Sequence, residues 1–153
     1  MADFSGKSVL ITGAGGGLGS ALSELFAARG ASLTLCDVSV DAIKGYEDTL
    51  KFAFDLRSRT SVTVAAQSIM DEAGVPDILI NNAGWTRAET LPPISTDQIF
   101  DEIDLNLSSV AAFTAWQADA MRKTVNLNRE GDRRGAKHYL SRELRWMEPY
   151  ARD

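Results

Sequence analysis

The chain has 153 residues, of which 44% are hydrophobic and 24% charged, with one cysteine and one histidine. This composition is typical of one globular domain. The single cysteine excludes a disulfide framework, and with one histidine it argues against a zinc site, so no metal is expected. No apolar run approaches the roughly 18 residues of a membrane span and no signal sequence follows Met1, so a cytoplasmic protein without membrane contact is predicted.

The net charge of −5 is unevenly distributed along the chain. Residues 1–121 carry 7 Lys or Arg against 16 Asp or Glu, a net of −9, whereas residues 122–153 carry 9 against 5, a net of +4. Such asymmetry is found in basic tails that contact nucleic acid or membrane. It also arises where a terminal segment does not belong to the same domain as the rest of the chain.

Short apolar runs alternate with helical patterns over the first 121 residues, which predicts βαβ units and a parallel sheet. Cys36, in the second strand, is predicted to be a small core residue. After Met121 the pattern decays into a brief strand at 125–127 and a polar loop or disordered segment at 129–135. The predicted strands are 8–12, 31–37, 52–54 and 77–81; apolar helical faces lie at 18–26 and 62–73, and a long helix covers 97–121.

A glycine-rich loop joins the first predicted strand to the first predicted helix, a placement typical of dinucleotide binding. Gly13 permits the tight turn, Gly17 lets the backbone approach a pyrophosphate, and Gly19 allows the helix to pack closely on the strand. The helix N-terminus presents unpaired N–H groups and the positive end of its dipole to phosphates. The alternative is a merely flexible turn. The candidate residues are Gly13, Gly15, Gly16, Gly17, Leu18 and Gly19.

Asp37 ends the second predicted strand, 18 residues after Gly19. A carboxylate at this position accepts hydrogen bonds from both ribose hydroxyls of NAD, whereas the 2′-phosphate of NADP would meet a like charge. No Lys or Arg lies in the glycine loop or at Val38 and Ser39 to offset that repulsion. The sequence therefore predicts NAD in preference to NADP. The alternative role for Asp37 is to cap the turn that follows it.

Four short motifs together resemble the short-chain dehydrogenase/reductase family over residues 5–122. They are Thr-Gly-x-x-x-Gly-x-Gly at 12–19, Asp55-Leu56 after the third strand, Asn-Asn-Ala-Gly at 81–84, and Asn106 in the long helix. The resemblance implies a Rossmann-type α/β fold, a doubly wound parallel sheet truncated after about four strands. It implies an NAD(P)-dependent oxidoreductase that transfers hydride between nicotinamide and a small alcohol or carbonyl substrate.

The resemblance also implies roles for single residues. Asp55, followed by Leu56, would contact the adenine amino group, and Asn81 would sit where the backbone passes the adenosine. Ala83 and Gly84 would line the cofactor, with Asn82 tying neighbouring strands. Asn106 matches the active-site Asn that holds a water in the proton relay. Trp85 and Arg87 follow Asn-Asn-Ala-Gly, where side chains face either the substrate or the loop packing.

The resemblance fails beyond residue 122. The family uses a Tyr with a Lys four positions later and an upstream Ser, but Val125 to Arg129 stands where that Ser is expected, and Tyr139 is followed four residues later by Glu143. The weaker alternative is that Tyr139, together with Lys137 or Ser141, replaces the missing catalytic group. We expect an incomplete NAD-binding domain over 1–122 and an unrelated basic tail over 123–153.

Three interpretations follow for the whole chain. It is an oxidoreductase by ancestry, a non-catalytic NAD-binding module or truncated or frameshifted fragment, or a nucleic-acid-contacting protein acting through its tail. Interspersed acids argue against nucleic acid. Loss of later strands would leave an apolar edge, and we expect self-association through helix 97–121 by Leu107, Val110 and Phe113. The tail residues considered for nucleic acid are Arg129, Arg133, Arg134, Lys137, Arg142 and Arg145, with Tyr139 and Trp146 for stacking.

Overall fold

The computed structural model of the chain describes residues 3–86 and 95–131. The strands are β1 (Ser8–Thr12), β2 (Ser32–Asp37), β3 (Leu50–Ala53) and β4 (Ile78–Ile80). The helices are α1 (Gly17–Ala27), α2 (Arg59–Glu72), α3 (Thr96–Ile103) and α4 (Ser109–Gly131). The four strands pair in parallel in the order β3-β2-β1-β4, which confirms the predicted Rossmann-type sheet.

Helices cover both faces of the sheet, as a doubly wound fold requires. Successive side chains of a strand point to opposite faces, so Val9 and Ile11 of β1 lie on one face and Leu10 on the other. Val9 and Ile11 are buried with Leu35 against Leu22 of α1 and its neighbours. The central strand is therefore buried on both faces, which explains its uninterrupted apolar run.

The opposite face of the sheet is covered by α2 and α4. Val62, Ala65, Ala66 and Ile69 recur at helical spacing along α2 and are buried in one cluster with Leu10, Cys36, Phe54 and Phe113. Phe113 of α4 is fully buried, and its ring centroid lies 5.3 Å from that of Phe54. The expectation that Phe113 is free to contact a partner is therefore wrong, because the residue belongs to the core of its own chain.

The third strand and the long helix depart most from their predicted bounds. β3 spans Leu50–Ala53 rather than 52–54, because its pairing with β2 runs from Thr34 opposite Leu50 to Asp37 opposite Ala53. The long helix begins at Thr96 and is interrupted by a π-helical turn, Asp104–Ser108, before α4 continues it. The predicted strand at 125–127 is wrong, since these residues lie in α4, whose Arg122 and Lys123 are good helix formers. The loop or disorder predicted from residue 129 is likewise wrong for 129–131, which continue the same helix.

The chain divides into two units, Met1–Met121 and Arg122–Asp153. In the second unit, the described part is the helical backbone of residues 122–131. The predictions for Arg87 and for residues 132–153 lie outside the described residues. Within the ranges described, no helix has the length and apolar content that crossing a membrane requires.

Asp77 joins the amino-terminal ends of β1 and β4. Its carboxylate accepts hydrogen bonds from the Ser8 N–H (2.9 Å), the Ser8 hydroxyl (3.0 Å) and the Lys7 ammonium (3.3 Å). Partial burial raises the pKa of Asp77, but the hydrogen bonds from Ser8 and Lys7 outweigh it, so its pKa lies below the ordinary value of 3.8. The ionised carboxylate thus stabilises the folded state.

We expect Asp77→Ala to lower the free energy of unfolding at pH 7 by about 1 kcal/mol, because the Ser8 N–H and hydroxyl lose their acceptor while the exposed lysine pair adds little. The pKa of this carboxyl is lower in the folded than in the unfolded state. It therefore stabilises the folded state fully at a pH above its unfolded pKa, and this stabilisation is lost as the pH falls through its folded pKa. The difference between variant and wild type should therefore shrink below about pH 4. Urea unfolding of the variant and the wild type at pH 7 and pH 3 measures this difference in free energy. Asp48→Ala, which removes an exposed carboxylate, is the control. A difference that does not change with pH would contradict the stabilising role of the ionised Asp77.

Candidate functional site

A cleft of about 660 Å³ opens at the carboxyl ends of the strands, between the glycine loop, the ends of β2 and β3, and the segment after β4. Its size is that of a small-molecule or cofactor site, typically about 300–1,000 Å³. The cleft lies where the strand order reverses, because β1 is followed in sequence by β2 on one side and pairs with β4 on the other. Ligands of open α/β sheets bind at this switch point.

Close backbone packing around the glycine loop explains two of its glycines. Gly13 has φ +67°, and a Cβ there would lie 2.8 Å from Ala83 Cα. A Cβ on Gly19 would overlap the carbonyl oxygen of Gly13. The loop therefore packs against the segment after β4 on one side and against α1 on the other, and neither position accepts a side chain without displacement of the backbone.

Gly17 differs from these two glycines because the space around it is open. A Cβ built on Gly17 meets no atom within 4 Å, although the residue lines the cleft. Gly17 is also the first residue of α1, and the N-cap residue Gly16 gives the helix no side-chain cap. The first N–H groups of a helix lack intrahelical acceptors and carry its positive dipole end. An anion placed over Gly17 would find those donors.

Asp37 faces the cleft and is hydrogen-bonded to the backbone around it. Its Oδ2 accepts from the Gly15 N–H at 2.8 Å and its Oδ1 from the Val38 N–H at 2.8 Å. The carboxylate thus does cap the local turn, as the alternative prediction had it. A carboxylate has roughly four acceptor positions, so each oxygen keeps one for a further donor. Capping the turn therefore does not prevent Asp37 from binding hydroxyl groups.

At the end of the cleft beyond β3, the Arg57 guanidinium binds both carboxylate oxygens of Asp55, a bidentate pair called the fork below. Arg57 Nε lies 3.1 Å from Asp55 Oδ1, Nη2 lies 2.8 Å from Oδ2, and the Arg57 N–H donates to Oδ1 at 2.9 Å. Hydrogen bonds from the Arg57 guanidinium hold the pKa of Asp55 below 3.8 despite some desolvation. Asp55 is therefore an ionised acceptor at neutral pH. Leu56, between the two, is buried and lines the same cleft.

Asn82 and Thr12 hold the carboxyl ends of β1 and β4 together. Asn82 Nδ2 donates to the carbonyl oxygens of Thr12 (3.0 Å) and Gly13 (3.1 Å). The N–H groups of Asn82 and Ala83 both donate to the Thr12 hydroxyl at 3.1 Å. Asn81 faces elsewhere, since its Nδ2 donates to Thr114 Oγ1 of α4 at 2.8 Å. These bonds fix Ala83 and Gly84 at the wall of the cleft.

Asn106 lies in the π-helical turn and is bonded to the backbone of Trp85. Its Nδ2 donates to the Trp85 carbonyl at 2.7 Å and to the Glu102 carbonyl at 3.0 Å, while its Oδ1 accepts the Trp85 N–H at 3.0 Å. A Cβ on Gly84 would lie 2.9 Å from Asn106 Oδ1, so this approach needs glycine. The Asn106 side chain thus fastens the segment after β4 to the helix and is not itself in the cleft wall.

Cys36 is fully buried beneath the cleft. Desolvation, with the nearby Asp37 charge, raises the pKa of the Cys36 thiol to about 12. A thiol that stays protonated at neutral pH is a poor nucleophile. As predicted, Cys36 is a core residue.

The structure brings most of the candidate residues together at one cleft. Asn81 and Asn106 lie outside its lining, while Arg57 and Asp101 line it without having been predicted. Among the residues described, no three His, Cys, Asp or Glu side chains are grouped as metal ligands. The predicted residues that line the cleft are Gly13, Gly15, Gly16, Gly17, Leu18, Gly19, Asp37, Asp55, Leu56, Ala83, Gly84 and Trp85.

Comparison with known proteins agrees with this arrangement. The family model described as short chain dehydrogenase matches residues 7–128. The 3-oxoacyl-acyl-carrier-protein reductase of Salmonella typhimurium is 35% identical over 125 residues, which cover 78% of this chain and 51% of that protein. The oxidoreductase UcpA of Escherichia coli is 36% identical over 118 residues, covering 72% of this chain and 44% of that protein. The chain thus spans about half the length of the curated relatives it matches.

A solved structure gives the same result for the fold. L-sorbose reductase from Gluconobacter frateurii, complexed with NADPH and L-sorbose, superposes with a TM-score of 0.72 at 27% identity, over 80% of this chain and 50% of that one. The match to the family model covers the glycine loop, Asp55-Leu56, Asn-Asn-Ala-Gly at 81–84 and Asn106, the four motifs that carry the resemblance. The chain belongs to the short-chain dehydrogenase/reductase family of oxidoreductases.

Proposed function

We propose that the chain binds a nicotinamide adenine dinucleotide in the cleft and prefers NAD to NADP. The observation that carries this proposal is the open space over Gly17 at the N-terminus of α1, with the Asp37 carboxylate on the same cleft. The helix N–H groups would take the pyrophosphate, and the free acceptor positions of Asp37 would take the ribose hydroxyls. Asp55 and Leu56 would meet the adenine.

The charges around the cleft support NAD over NADP. The described lining residues include Asp37, Asp55 and Asp101, against Arg57 as their cation, and Arg57 is held by Asp55. A 2′-phosphate beside Asp37 would meet a carboxylate with no cation at hand in the described lining. Like charges at close range are unfavourable in a partly desolvated site. The similar solved structures do not decide this point, because one is a complex with NADPH and another is a complex with NADH.

We further propose that this 153-residue chain binds cofactor without turning over substrate. Bound nicotinamide accepts or donates hydride, and that chemistry needs an acid or base at the substrate oxygen. The sequence has no Tyr-x-x-x-Lys to supply it. Asn106, whose side chain fastens Trp85, would then position the wall of the nicotinamide end and, as the family pattern implies, hold a water there. If the site were completed by the missing acid–base residues, its substrate would be an alcohol or carbonyl compound, as the family pattern implies.

We expect the chain to show no NAD-dependent oxidation of secondary alcohols above background, while NADH fluorescence still reports saturable binding. General acid–base groups contribute about 10²–10⁴-fold each, so their absence should remove measurable turnover. The assay pairs initial rates over a panel of alcohols with a fluorescence titration of the same preparation. Steady turnover that Tyr139→Phe abolishes would overturn the proposal by revealing an unorthodox site in the tail.

We propose self-association through the outer surface of α3 and the π-helical turn. Ile99, Phe100, Ile103 and Leu107 are 42–63% exposed, which leaves an apolar surface on one stretch of helix. Such surfaces commonly mark contacts between proteins. Val110, also named for this contact, is only partly exposed.

We expect Phe100→Glu to shift the chain toward monomer in sedimentation velocity, because an unpaired charge opposes apolar contact. Val64→Glu is the matched control, since Val64 of α2 and Phe100 are each 60% exposed. An equal shift toward monomer in both variants, or a wild type that is monomeric at high concentration, would contradict self-association through this surface.

A further inference from the structure

Arg57 occupies the acceptor positions of Asp55 unevenly. Asp55 Oδ1 receives two donors from Arg57, the N–H at 2.9 Å and Nε at 3.1 Å, and Oδ2 receives one, Nη2 at 2.8 Å. Each carboxylate oxygen has about two acceptor positions. The fork therefore fills Oδ1 and leaves a single position, on Oδ2, for a further donor.

A free donor stands beside this free acceptor. Asp55 donates its own N–H to Ser61 Oγ at 3.1 Å, whereas the Leu56 N–H has no hydrogen-bond partner among the described residues. Asp55 and Leu56 both line the cleft, so two consecutive residues of its wall carry one unfilled acceptor and one unfilled donor. The Watson–Crick edge of adenine offers the complement, an amino donor next to the N1 acceptor. Hypoxanthine reverses both groups, with a carbonyl oxygen and an N1–H.

Packing does not explain why Arg57 is held in this geometry. Its side chain is 60% exposed, and exposed ion pairs contribute little to stability. Arg57 nevertheless lines the cleft together with Asp101 of α3. The Asp55 hydrogen bonds, and then the charge of Asp55 and of Asp101, raise the pKa of the Arg57 guanidinium, so the fork stays charged.

We infer that Arg57 is a positioning residue for base specificity, which fixes Asp55 with one acceptor toward the cleft and so selects adenine over hypoxanthine in the bound dinucleotide. This inference rests on the proposed function. Without the fork, Asp55 can rotate, and its carboxylate no longer faces the hypoxanthine carbonyl. The free Asp55 can still accept an adenine amino group, so discrimination should fall more than affinity for NAD.

The test compares the dissociation constants of NAD and of nicotinamide hypoxanthine dinucleotide by calorimetry. We expect wild type to prefer NAD by at least about tenfold, because the wrong base leaves polar groups unpaired. Arg57→Ala should reduce that ratio several-fold, and Arg57→Lys, which keeps the charge and loses the fork, should also reduce it. The matched control is Arg59→Ala, which removes the same charge two residues later from an exposed position at the start of α2.

A double-mutant cycle separates positioning from general charge. In an Asp55→Ala background the ratio should already be low, and adding Arg57→Ala should leave it there. An unchanged ratio in Arg57→Ala with intact NAD binding, or an equal fall in Arg59→Ala, would overturn the inference alone. Failure of the folded wild type to bind NAD would overturn the proposed function and this inference with it.

Discussion

Gly17→Val is expected to weaken dinucleotide binding by at least about a hundredfold while the chain keeps its fold. The open space at Gly17 lets the fold accept a side chain, since a Cβ there meets no atom within 4 Å. The same space is where a pyrophosphate would lie against the first turn of α1. Fluorescence titration with NADH measures binding, and circular dichroism with thermal melting measures the fold.

Two further variants in the same helix serve as controls for this result. Ser20→Val adds the same side chain at an exposed position of α1 outside the cleft lining, so it should leave binding unchanged. Gly19→Val should damage the fold itself, because its Cβ overlaps the Gly13 carbonyl oxygen. Undiminished binding by Gly17→Val would show that the glycine loop does not hold the phosphates.

Asp37→Ala is expected to weaken NAD binding by about ten- to a hundredfold, as the loss of charge-assisted hydrogen bonds to the ribose implies. The same change should narrow or remove discrimination against NADP, because the carboxylate that repels the 2′-phosphate is gone. Parallel titrations of wild type and variant with both cofactors measure the two effects. A variant that keeps the wild-type ratio of the two affinities would exclude Asp37 as the source of discrimination.

Asp37→Asn separates charge from loop structure. Asp37 accepts the N–H groups of Gly15 and Val38, so truncation to alanine also removes two local hydrogen bonds. Asparagine keeps one acceptor oxygen but not the charge. We expect it to lose discrimination against NADP as fully as alanine does while losing less affinity for NAD. Equal losses of NAD affinity in the two variants would indicate that capping the loop is the main role of Asp37.

Local patterns explain what the sequence predicted well. β1 has the predicted bounds, Ser8–Thr12, because an unbroken apolar run followed by glycines indicates a central strand and its turn. The loop glycines follow β1, Asp37 ends β2 and Asp55 lies two residues beyond β3, and the carboxyl ends of parallel strands meet at one edge. These cleft residues are therefore predictable from strand positions.

Tertiary contacts explain what was missed. The bounds of β3 depend on its register with β2, and the burial of Phe113 depends on how the helix continues after the π-helical turn. Asp101 reaches the cleft from a helix 46 positions beyond Asp55 in sequence, with no local signal to place it there. The contact of the Asn106 side chain with the Trp85 backbone, across 21 residues, likewise has no local signal in the sequence.

Calorimetric titration of the wild-type chain with NAD and NADP, side by side in one buffer, tests the central claim most directly. The open phosphate site at Gly17 and the unneutralised Asp37 carboxylate predict saturable binding of one NAD per chain, with NADP bound at least about tenfold more weakly. Tighter binding of NADP, or no saturable binding of either cofactor by the folded chain, would contradict it.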